Sequence, residues 1–122
     1  GHIARAVLEA TAFQIWDVVQ SMAADSGHPL HELRVDGGMT VNNTLMQFQA
    51  DILGLPVVRP AEVEASALGA AYAAGLAVGF WSGLDELAAH RNVAHIWAPS
   101  MAPRRRDQLL AGWRKAVERA LL

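Results

Sequence analysis

Apolar positions 3, 7, 8, 12, 15, 19 and 22 recur at helical spacing and predict a long first helix from Ile3 to Met22. Phe13, Trp16 and Val18 lie off that stripe, and Arg5, Glu9, Gln14 and Asp17 form no single polar face. A helix apolar on most sides is usually buried on most sides. A chain of 122 residues is short to supply that cover. Asp25 to Leu30, broken by Gly27 and Pro29, predicts a polar loop. Leu33-Arg34-Val35-Asp36 then predicts a short strand, which Gly37-Gly38 ends. Asn42 or Asn43 caps a second helix from about Thr44 to Leu53, with Leu45, Phe48 and Ile52 as its stripe. Gly54 suits the left-handed position past the helix end. Pro56-Val57-Val58-Arg59 reads as a second strand, closed by Pro60. Residues 33–59 thus make a βαβ unit, whose strands general chirality sets parallel.

A third helix is expected from Ala65 to Val78, with Glu62 and Glu64 before it, where acidic charge suits a helix N-terminus. Gly69, Ala70, Ala73 and Ala74 give it a small-residue face that another backbone can approach closely. Trp81 to Trp97 reads as connection, with one turn at Leu84–Ala89. An amphipathic helix from Arg104 to Leu122 closes the chain, with Leu109, Leu110, Trp113, Val117 and Leu121 apolar. The twenty residues from Ala65 to Leu84 carry no charge, a length that would allow a membrane span. Ala and Gly contribute little transfer free energy, however, and Gly79 to Gly83 break the helix. A tightly packed soluble helix is the expectation.

Composition narrows the class. At 52% hydrophobic and 18% charged residues, the chain can pack the core of one domain and is not intrinsically disordered. It has no cysteine, which excludes disulfides, Cys-ligated zinc and thiol catalysis. A net charge of −2 gives no electrostatic footprint for nucleic acid. The chain opens Gly1-His2-Ile3 without a Met and reads as a piece of something longer. No basic segment followed by an apolar core is visible there, so a cytoplasmic setting is expected.

The informative stretch is Val35-Asp36-Gly37-Gly38-Met39-Thr40-Val41-Asn42-Asn43. A strand ends in paired glycines and a helix begins a few residues later. Glycines there let a ligand approach the backbone. The helix N-terminus offers free N–H groups to a phosphate, and the carboxyl end of a strand is where open α/β sheets bind ligands. The same spacing also fits an ordinary strand-to-helix turn, and both readings stand on spacing alone. It is neither a dinucleotide fingerprint nor a Walker loop. Asp36 fits a helper role and, better, a turn-capping role. His28 and His31 are separated by a proline-broken segment and His90 and His95 lie in a loop, so neither pair reads as a metal site. Arg104-Arg105-Arg106 reads as a solvated helix end.

These residues also resemble a known family. Residues 1–14 look like a helix of glycerol kinases, and Leu33 to Asn43 resembles their adenosine-binding loop. Leu45 to Gly54 continues the match, Ala67 to Trp81 is similar to the family's most distinctive stretch, and Ala111 to Val117 resembles its closing helix. The resemblance implies part of an α/β, actin-like, ribonuclease-H-like domain: helix, strand, helix, strand, helix, with a parallel strand pair and a C-terminal helix. It implies that residues 1–122 are the C-terminal portion of the second, nucleotide-binding domain of a carbohydrate kinase. The parent would transfer the γ-phosphoryl group of ATP to glycerol with Mg²⁺ held mainly elsewhere. Gly37, Gly38, Met39 and Asn42 would be nucleotide-binding here, and no catalytic or metal-binding residue carries over. The implied sheet is larger than the two strands read above, so the piece is expected to self-associate or to pack on the rest of its parent. Two alternatives remain: a kinase of the same family for another sugar or polyol, and a non-catalytic actin-like assembly module.

Overall fold

A computed structural model describes residues 1–61, 65–89 and 92–121. The first helix, α1 (His2–Ser26), runs a turn beyond its apolar stripe because Ala23 and Ala24 favour helix. Gly27 stops it in the left-handed conformation at φ 68°. A short strand β1 (Leu33–Arg34) leads into a 3-10 turn at Gly38–Val41 and then α2 (Asn43–Leu53). Gly54 (φ 69°) ends α2 as its position predicts, and β2 (Val57–Pro60) follows. β1 and β2 pair in parallel, with Leu33 opposite Val57 and Arg34 opposite Val58.

The segment after α3 (Ala65–Ala77) corrects the expectation of a connection. It contains a short helix, α4 (Leu84–Ala89), and a strand, β3 (Val93–Trp97). β3 pairs antiparallel with β2, Val57 opposite Trp97, so among the described residues the sheet has three strands in the order β1-β2-β3 rather than two. The final helix, α5, spans Pro103–Ala120 with Pro at its first turn, where a missing N–H costs nothing.

The core lies between α1, α2, α5 and the sheet. Ala12, Val19, Leu45, Met46, Ala50, Leu53, Val57 and Trp97 form one cluster; Phe13, Ile52 and Leu110 form a second. Phe13 stacks on Trp113 at 5.3 Å and meets Phe48 edge-on at 5.6 Å. Trp113 Nε1 donates to Asp17 Oδ2 at 2.8 Å, which fastens α5 to α1. The loop from β3 to α5 is tied to α2 by Gln47, whose Nε2 donates to the Ala98 carbonyl at 2.9 Å, and by one carboxylate oxygen of Asp51. Asp51 Oδ1 accepts from the N–H groups of Ser100 (2.6 Å) and Met101 (3.1 Å) and from Gln47 Nε2 (3.1 Å).

α3 stands apart. Its sequence is apolar all round, yet none of its residues is buried. The small-residue face of Gly69, Ala70, Ala73 and Ala74 stays exposed, and the close approach expected there is not seen among the described residues; the contact that forms is on the other side of the helix. After Gly79 (φ 73°) the chain folds back and Trp81 lies on Gly75, edge-on to Tyr72 at 5.2 Å. Among the described residues no helix is long and apolar enough to cross a membrane. Glu62 and Glu64, expected before α3, lie outside the described residues, as do His90 and Leu122.

Candidate nucleotide-binding loop

Residues 37–42 join the carboxyl end of β1 to the N-terminus of α2. The turn is made by Gly37, whose backbone (φ 86°, ψ 173°) lies outside the range of ordinary L residues. Gly38 follows with no such demand on φ, and a Cβ added at either glycine would meet nothing within 4 Å. The glycines therefore leave an open face on the turn. Met39 is exposed on the same turn. Thr40 is its buried anchor: its Oγ1 and its N–H both donate to the Gly37 carbonyl, at 2.7 and 3.1 Å.

Asn42 is the N-cap of α2, its Oδ1 accepting the Leu45 N–H at 3.1 Å. The other helix-start candidate, Asn43, is the first helical residue and is exposed. Gly37, Gly38, Met39 and Asn42 are thus brought together on one short loop. Asp36 is exposed beside them and forms no hydrogen bond among the described residues, so the turn-capping role expected for it is not seen.

A residue that sequence reading passed over sits beneath this loop. Arg59 on β2 donates from Nη1 to the Thr40 carbonyl at 2.9 Å. The contact joins distant positions and left no local signal.

The paired glycines, the open turn and the capped helix start fit a phosphate-bearing ligand. They do not fit a protein-held metal. Among the described residues no three of His, Asp and Glu converge.

The first 78 residues match the C-terminal domain of the FGGY family of carbohydrate kinases. The chain belongs to this family. A glycerol kinase of Chloroflexus aggregans is 61% identical over 119 residues, covering 98% of this chain and 24% of that protein. The chain thus spans about a quarter of the length of the relatives it matches. Among solved structures, Plasmodium falciparum glycerol kinase with ADP superposes with a TM-score of 0.89 at 41% identity, covering 99% of this chain and 24% of that one. Xylulose kinase of Rhodospirillum rubrum superposes with a TM-score of 0.78 at 30% identity, covering 99% of this chain and 25% of that one. The actin-like α/β reading of the fold holds, and residues 1–78 correspond to the C-terminal domain of the family.

Proposed function

We propose that this FGGY chain is the C-terminal portion of the second, nucleotide-binding domain of an ATP-dependent glycerol kinase. It forms one wall of the nucleotide pocket. The observation that carries the reading is the open glycine turn running into the Asn42-capped helix, in a chain of high identity to glycerol kinases.

In the reaction, a glycerol hydroxyl oxygen attacks the γ-phosphorus of ATP. ADP leaves, the hydroxyl proton passes to a base outside this chain, and sn-glycerol 3-phosphate forms. Catalysis of this kind is mostly positioning and charge stabilisation from both sides of a cleft. Gly37 and Gly38 let backbone approach the phosphate end. Met39 borders the adenine side. Asn42 spends its Oδ1 on α2 and keeps its Nδ2 amide for the nucleotide. Mg²⁺ would come with the nucleotide and would supply positive charge to its phosphates, and no residue of this chain is assigned to hold it. No catalytic residue is assigned to this chain, and a cytoplasmic setting goes with the reading.

The test is the full-length protein with ATP and a panel of acceptors, following ADP release and product identity. Glycerol 3-phosphate as the preferred product supports the reading. Preference for a pentulose or a sugar acid would make it another kinase of the family. Nucleotide-dependent filaments without phosphoryl transfer would make it an assembly module.

A further inference from the structure

The loop at 37–42 has an inner side and an outer side. On the inner side Thr40 closes the turn onto the Gly37 carbonyl. The Thr40 carbonyl in turn takes its hydrogen bond from Arg59 Nη1 at 2.9 Å. Arg59 is held from behind: its guanidinium carbon lies 5.3 Å from the ring centroid of Trp97, which is buried on β3. No carboxylate pairs with Arg59 among the described residues. A guanidinium stacked on indole is oriented by the ring and keeps its charge. One side chain therefore connects the sheet to the carbonyl lying between Gly38 and Asn42, and brings a positive charge beneath the turn.

We propose that Arg59 is a positioning residue for nucleotide binding. Seated on Trp97, it fixes the Thr40 carbonyl, and with it the directions of the Gly38 backbone and the Asn42 amide, and its charge favours phosphate at the turn. This rests on the reading of residues 37–42 as the nucleotide wall. Arg59 itself does not touch the nucleotide.

The experiment is steady-state kinetics of the full-length protein carrying R59M, R59K, R59Q or N42A, with melting temperatures. R59M keeps an apolar stem on Trp97 and loses the hydrogen bond and the charge. A charge-assisted hydrogen bond lost in part corresponds to a rise of roughly fivefold to tenfold in the KM for ATP. The expected result is that rise, with the KM for glycerol and the melting temperature little changed. R59K, which can still donate to Thr40, should recover most of the loss. If R59M does not fold, R59Q carries the test and should raise the KM for ATP in the same direction. An unchanged KM for ATP in R59M or R59Q, where N42A raises it, overturns the proposal. So does an equal rise for ATP and glycerol with a lowered melting temperature, which would mark Arg59 as general support. R59K as impaired as R59M also overturns it, because a guanidinium would then be needed at the ligand itself. If N42A too leaves the KM for ATP unchanged, it is the nucleotide-wall reading that fails.

Discussion

Asn42 Oδ1 accepts the Leu45 N–H at 3.1 Å, and the Nδ2 of the same amide has no acceptor among the described residues. The two atoms can be separated by mutation. Asn42→Ala removes both, at a cost of about 1 kcal/mol for the cap, and should raise the KM for ATP several-fold in the full-length protein. Asn42→Asp keeps the cap, because a carboxylate oxygen accepts the same N–H. It should hold the melting temperature while weakening ATP binding more than Ala does, since it sets a negative charge beside the phosphates. A melt combined with kinetics distinguishes the two. Gly38→Val asks a different question. The positive φ of this turn belongs to Gly37, and a Cβ at Gly38 meets open space. Branching there should spare the fold, seen by circular dichroism, and abolish activity by occupying the ligand's approach. The glycine pair, the cap and Gly54 were legible in the sequence because each answers a local backbone demand. Arg59 was not, because its partners Thr40 and Trp97 are near it only in the folded chain.

Elements built from local signals were found, and the element that needs a distant partner was missed. α2 and β2 follow from capping, a stripe of apolar positions and flanking glycine and proline. β3 shows no alternation: Val93, Ala94, His95 and Ile96 are all exposed, and Trp97 alone is buried. Only its pairing with β2 makes it a strand. Two glycines at helices test the same logic in opposite directions. Gly54 sits at φ 69° past α2, and a Cβ there would run into the Arg106 guanidinium. Gly54→Ala should destabilise by about 1–2 kcal/mol, chiefly through the left-handed backbone, since Arg106 can swing away. Gly112 lies inside α5 with open space around it, so Gly112→Ala should stabilise by about 0.5–1 kcal/mol. Melting temperatures of the two variants should move apart, Gly54→Ala down and Gly112→Ala up.

At the scale of the molecule, the described chain has a packed half and an open half. α1, α2, α5 and the sheet share the core, while no residue of α3 is buried and Val78, Phe80 and Leu84 stand exposed. Among the described residues β1 hydrogen-bonds to β2 alone, which leaves its other edge open to a further strand. On α1, Phe13 and Val19 are buried and Ile15 and Trp16 half-buried, which leaves the apolar surface at Ile3, Val7, Val18 and Met22; Val78 and Phe80 beyond α3 add more. We expect the isolated 122-residue polypeptide to self-associate through these surfaces. We also expect it to bind ATP weakly at most, since on the proposed reading it offers one wall of a pocket. Sedimentation equilibrium giving a monomer at high micromolar concentration would contradict the first expectation, and titration calorimetry giving micromolar ATP affinity the second. The Asp51 tie carries a consequence for the clock by which amide protons leave. Irregular loops ordinarily trade hydrogen for deuterium quickly, because little must open. The N–H groups of Ser100 and Met101 point at a carboxylate on the central helix. Their release requires the loop to lift off Asp51, so in deuterated water these two amides should exchange more slowly than loop amides that have no such acceptor.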